Sequence, residues 1–400
     1  MTTLTLDTLT EACQPGGPSC LTSLTELAPA GGPQASVAPA KFAGPRGTEG
    51  VYAYERRFID GVERETVLID SKQSQLNRAE AALVQAIGDG HPVLARLPRV
   101  EVVYDRDGKE ERYCDLELPH RAFDGHIRAG ALDGIPTTDL PAYRALRDAS
   151  PANARPLLEA SPATVVFGGW DSSRASRQGR WRSLLVGEVI GVCADGGHPA
   201  KKGGARVDPV GMGVKLSGSA LKAIADAQRG ELSPKTYDEI IKKANADKGE
   251  GVSASALGLG GIPPSLTALA GVACEHIIRS HVLSFAALRQ IRFAAGPEGD
   301  VACRVLLAAL ALNALARSDA ELSLRANCDL VESRPTVVAL DRRHGRVEEL
   351  TTLSIEEADQ VLAAALRQAE AEAGVSWHGV ALSVRGNPDI VAGVVDDEEE

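Results

Sequence analysis

Four arginines between positions 174 and 182 form the densest patch of chemistry in the chain. In WDSSRASRQGRWRS, Arg174, Arg177 and Arg180 recur every three residues, Arg182 follows, and Trp170 and Trp181 flank the run. A guanidinium group pairs bidentately with a phosphate, and an indole offers a stacking face to an unpaired base, so this mixture suits single-stranded RNA. From Asp171 to Arg206 the same four arginines, with Lys201, Lys202 and Arg206, give seven basic residues against three acidic ones. The alternative is a solvated arginine-rich face.

A second polar strip is QSQLNR. If a helix begins near Ser71, then Gln73, Ser74, Asn77 and Arg78 occupy its first two turns. Helix N-termini present free N–H groups and a positive dipole to anions. Capping and a polar surface would explain the same residues. Arg289 and Arg292 offer a further basic ridge, more simply read as solvated.

The elements that must position these residues follow from pattern. Thr66–Asp70 reads as a strand; Asp70 and Ser71 are suitable N-caps; Leu76, Ala79, Leu83, Val84 and Ile87 have helical spacing up to Gly88 and Gly90. Val100–Asp105 and Arg112–Leu118 read as a hairpin, and the β-branched run Thr164–Trp170 as a buried strand. Helices are expected over Val272–Phe293 and Val301–Ala316, a strand over Pro335–Asp341, and a last helix from the Ser354–Glu357 capping box to Gly374. This order predicts an α+β fold with an RNA-recognition-motif-like (ferredoxin-like) core and large insertions. Residues 1–48, rich in Thr, Pro, Gly and Ala, predict an extended arm or a disordered leader, without long regular structure; 49–345 predict the core, with a glycine-rich insertion near 196–261; 346–400 predict a C-terminal helix and acidic tail.

Composition limits the chemistry. The 400 residues carry a net charge of -11, but Asp396–Glu400 are all acidic, and binding depends on local clusters more than on the total. Seven cysteines without a CxxC pair give no zinc motif or disulfide framework. No stretch of about 18 apolar residues runs unbroken, so a cytoplasmic protein without membrane contact is expected. DPVGMGVKLSG and LGLGGIPP miss GxGxxG at Leu216 and Pro263, and His276 and His281 are spaced five apart, off the i, i+4 register of a helical metal pair. No catalytic residue, metal ligand or cofactor is expected.

Five blocks then carry a resemblance: IDSKQSQLNRAE (69–80), VVFGGWDSSR (165–174), GGARVDPVG (203–211), GLGGIPPS (258–265) and VLSFAALRQIRF (282–293). In this order they resemble the backbone RAMP subunit of the type I-G (formerly I-U) CRISPR system. The resemblance implies a protein that binds the guide, crRNA, in the complex called Cascade, and lines up with other copies of itself along the spacer. Implied partners are target DNA within the complex, the large subunit, the guide-processing or cap subunit, and a recruited helicase-nuclease that does the cutting. It also implies that Gln73–Arg78 and Arg174–Arg182 face the guide, with Lys201, Lys202 and Arg206 close by, and that the glycine-rich insertion serves as a thumb.

Two other readings compete. Related type III backbone subunits cut target RNA with a loop aspartate, which would make Asp70 or Asp171 catalytic. A protein-only assembly subunit would use the arginines on acidic partner surfaces.

Overall fold

Cys20–Pro29 form a ten-residue strand, β1, inside the segment expected to be an arm. Its buried positions alternate, Leu21, Ser23, Thr25 and Leu27, and the two hydroxyl residues among them hid the period. Ahead of it, Leu6–Cys13 form α1, capped by the Thr5 hydroxyl and buried through Leu9, Ala12 and Cys13. The amino-terminal segment therefore belongs to the core.

The computed structural model describes residues 2–44, 50–171, 173–174, 179–194, 203–264 and 269–394. They fall into two units, Met1–Gly196 with Ala273–Glu400, and Gly197–Val272. The fold is α+β.

In the first unit, β2 (Tyr54–Ile59) and β3 (Val62–Asp70) make a hairpin, and α2 (Lys72–Gly88) follows directly. The strands β4 (Arg99–Arg106) and β5 (Lys109–Cys114) form the expected second hairpin. Two short helices, α3 (Pro141–Arg147) and α4 (Pro162–Phe167), precede β6 (Leu185–Cys193). The strand expected at Thr164–Trp170 is thus mostly helix: Pro162 starts α4, all six of its residues are buried, and Gly168 at φ +89° ends it. Tertiary burial here overrides the preference of Thr, Val and Phe for strands.

The segment expected as a helix from Val272 is instead the strand β7 (Cys274–Ser284). Ile277, Arg279, His281 and Leu283 share one buried face. An arginine and a histidine on that face concealed the alternation. Gly187 of β6 leaves room for His281, since a Cβ there would lie 2.0 Å from the imidazole Cδ2.

After β7 come the long helix α7 (Gly296–Ala320), a short strand Leu330–Glu332, β8 (Val337–Asp341), β9 (Val347–Leu350) and the long helix α8 (Ile355–Ala373), which has the expected capping box and ends at left-handed Gly374. The main sheet runs β9-β8-β1-β7-β6-β3-β2, with Leu330–Glu332 also paired to β1. Within it, β8, β1, β7 and β6 are antiparallel neighbours, and the chain visits them along the path β1, α2, β6, β7, α7, β8. A final strand, β10 (Val380–Arg385), lies parallel to β4 in a second sheet, a strand the sequence pattern did not reveal. The 25-residue α7 has the length and apolar character to cross a membrane, yet 94% of its most apolar window is buried inside the protein. It is the core helix, packed against α1, α2, α4 and α8.

The second unit holds α5 (Gly218–Ala227) and α6 (Pro234–Asn245) over a small core of Leu221, Ala225, Ile240, Ala244 and Ala254. Most of the glycine-rich stretch expected as an insertion lies in it. Two of the five sequence blocks meet there: Arg206 bridges Ile262, and the Asp208 carboxylate accepts the N–H groups of Val210 at 2.8 Å and Gly260 at 2.9 Å.

Candidate functional site

The start of α2 is built around a buried carboxylate. Asp70, fully buried at the end of β3, accepts hydrogen bonds from the Ser74 hydroxyl (3.0 Å), the Gln75 amide (2.6 Å), Arg78 Nε (3.1 Å) and Arg325 Nη2 (2.6 Å). Burial alone would raise its pKa, but the hydrogen bonds from Arg78, Gln75 and Ser74 outweigh it and hold the carboxyl below its ordinary value. Ser71, not Asp70, is the N-cap. The strip QSQLNR is consequently divided. Ser74 and Arg78 turn inward to Asp70, and Arg78 also donates to the carbonyls of Ser323 and Leu324. Gln73 and Asn77, one helical turn apart, are exposed on the other side.

That exposed side is one wall of a cleft of about 1080 Å³. The opposite wall is the arginine run. Gly169 pairs with Trp181 and Trp170 with Arg180 in a two-strand ladder, which brings Trp170, Arg180 and Arg182 to face Lys72, Gln73 and Asn77. The two strips read separately in the sequence thus share one cleft.

The cleft floor is a buried ion pair. Arg121 Nε and Nη2 donate to the Glu80 carboxylate at 2.5 and 2.6 Å, and Arg121 Nη1 donates to the Gly168 carbonyl at 2.9 Å. Burial raises the Glu80 pKa, against the pull of Arg121. Gly168 is required on two counts, its positive φ and the 2.8 Å that would separate an added Cβ from the Trp181 carbonyl. This accounts for the first glycine of VVFGGW; at Gly169 an added Cβ would lie 2.9 Å from Thr164 Cγ2. Lys72, His120, Arg121 and Glu80 were not singled out from sequence. Lys72 adjoined a chosen motif, whereas His120 and Arg121 stand in a loop with no periodic signal.

Charge in the cleft is unevenly matched. Glu80 is bound to Arg121, and Glu117 accepts the Cys114 N–H at 2.8 Å. Lys72, Arg180 and Arg182 are exposed and make no ion pair among the described residues. The Arg180 guanidinium lies 4.6 Å from the Trp170 ring centroid, a cation–π contact, and Trp170 is 42% exposed. The tryptophans differ: Trp170 presents a face to solvent, and Trp181 is buried.

The remaining residues that the sequence pattern points to lie elsewhere. Arg174 donates to the Arg147 carbonyl at 3.1 Å and to Asp148 at 2.7 Å, at the C-terminal end of α3. Arg206 is an exposed residue of the second unit. Arg177, Lys201 and Lys202 lie outside the described residues, as does the acidic run Asp396–Glu400.

A family model described as CRISPR-associated protein GSU0053 matches residues 21–195. Over that span the chain is similar to a family of CRISPR-associated proteins. The match covers somewhat less than half of the chain and includes every residue of the cleft. No curated protein matches the chain. The matched span also contains β3, α2 and β6.

Proposed function

We propose that this protein is the crRNA-binding backbone subunit of a type I-G Cascade complex and has no catalysis of its own. The observation that carries the reading is the convergence of Lys72, Gln73 and Asn77 with Trp170, Arg180 and Arg182 around one cleft whose carboxylates are already engaged. Unmatched cations attract phosphates, and the open face of Trp170 suits a stacked base. The path β1-α2-β6-β7-α7-β8, with neighbours in the order β8-β1-β7-β6, supports an RNA-recognition-like core. On this reading copies align along the guide in the cytoplasm, the second unit acts as the thumb, and target DNA is read by base pairing. The large subunit and the cap subunit complete the particle, and a helicase-nuclease cuts.

A non-catalytic role is supported by the two candidate aspartates. Both Asp70 oxygens accept hydrogen bonds from arginine, and Asp171 lies 3.5 Å from Arg128. The test is purification with a CRISPR transcript, reading the 260 to 280 nm absorbance ratio and the length of extracted RNA. Protected guide-length RNA, lost in the Lys72→Glu, Arg180→Glu, Arg182→Glu protein, is expected. A nucleic-acid-free protein that ignores the transcript would overturn the reading.

A further inference from the structure

A second recess in the first unit has the opposite charge. It is a half-open groove of about 640 Å³ between β1, β8 and the facing ends of α7 and α8, with walls that include Leu21, Leu312, Leu315, Val338 and Leu353. Asp319 and Glu332 stand at its edge. Beneath them lies the Arg279 guanidinium, 1% exposed, with Nη1 3.3 Å from Asp319 and Nη2 3.0 Å from Glu332. One cation is thus shared by two carboxylates.

Among the described residues, no nearby arginine makes up the deficit. Arg317 is committed to Asp359 at 2.6 Å, and Arg334 to Glu26 at 3.2 Å. Asp319 is the penultimate residue of α7, where the helix's unpaired carbonyls add negative potential. Glu356, also lining the groove, adds another carboxylate, offset in part by the positive N-terminal end of α8, in whose first turn it sits. An under-compensated carboxylate beside aliphatic walls calls for a ligand that brings a cation and apolar surface together.

We propose that this groove is a docking site for a segment of a partner protein that presents one arginine or lysine between aliphatic residues. The cationic head would meet Asp319 and Glu332, and its neighbours would cover the leucines. A half-open groove suits a peptide chain passing across it better than an enclosed small molecule. This site is separate from the RNA cleft and does not depend on RNA.

The test is fluorescence anisotropy with a labelled acetyl-Leu-Arg-Leu-Val-amide peptide on the full chain, beside versions with Gln or Glu in place of Arg. The Arg peptide is expected to bind about tenfold more tightly than the Gln peptide, and the Glu peptide not at all. Asp319→Asn and Glu332→Gln should each weaken the Arg peptide about fivefold. Thr352→Trp, at an exposed lining position, should block binding while the urea midpoint and RNA affinity stay unchanged. Equal binding of the Arg and Gln peptides, or no binding up to millimolar concentration, would overturn the docking site. Displacement of the Arg peptide by free octylamine at equal concentration would also overturn it, in favour of a small-amine pocket.

Discussion

The cleft and the groove share one unit and one construction, yet their electrostatics are inverted. Each rests on an arginine: Arg121 paired with buried Glu80 in the cleft, and buried Arg279 paired with the more exposed Asp319 and Glu332 in the groove. In the cleft the pair is balanced, and the surplus is the exposed cations Lys72, Arg180 and Arg182. In the groove the pair is unbalanced, and the surplus is negative. Formal charge over the chain is -11, which predicts neither site. What a surface attracts depends on which charges remain after internal pairing.

The comparison is broken most severely at the bases. Arg121→Ala should leave Glu80 buried and unpaired, costing about 3–5 kcal/mol of stability by urea unfolding. An unchanged urea midpoint would mean that the pair does not support the cleft. Next comes the surplus itself. The Lys72→Glu, Arg180→Glu, Arg182→Glu protein should bind single-stranded RNA about 100-fold more weakly, with a salt slope shallower by about two, as filter binding across salt concentrations measures. An unchanged slope would show that these cations do not meet phosphates.

The two tryptophans sharpen the contrast further. Trp170→Ala should lose about 1–3 kcal/mol of RNA affinity with the same salt slope. Trp181→Ala should lower stability instead, since its ring is buried. In the groove the effect is on pH dependence. Burial pushes the Asp319 carboxyl up to about 6, against the attraction of Arg279. Between its unfolded value near 3.8 and about 6 the native state holds the proton more tightly, so this group makes stability fall as pH rises through that window. Asp319→Asn should flatten that part of the profile in urea titrations. The smallest effect is expected at Arg174→Ala, whose partner Asp148 is 51% exposed: about 0.5 kcal/mol in stability, and little in RNA affinity.

How far the sequence reveals these features depends on which residues carry them. The helix α2 and its Ser71 cap were readable because apolar spacing and cap chemistry agree. The capping box of α8 was readable for the same reason. β7 was misread because two polar residues, Arg279 and His281, occupy its buried face, where periodicity expects apolar ones. β1 escapes the pattern because Ser23 and Thr25 do the same, and α4 because all six of its residues are buried and four of them, Thr164 to Phe167, are of strand-forming type, which leaves no periodic contrast. At the cleft, both strips were visible but not their division. Only the position of Asp70 decides that Ser74 and Arg78 turn inward while Gln73 and Asn77 turn outward. Arg121, held at φ +51° in a loop, leaves no pattern in sequence.

The central place of β1 has a consequence for synthesis on the ribosome. Thr25 meets Arg279, 254 residues later, and its hydroxyl bonds that of Thr336, 311 residues later. At about 5–20 residues per second, the first strand emerges roughly 13 to 50 s before its neighbour in β7 exists. The span matched by the family model, 21–195, ends before either central partner of β1 has been made. During that interval Leu21 and Leu27 lack the strands that flank them in the folded sheet, so the first strand can be paired on both edges only once the last third of the chain is made.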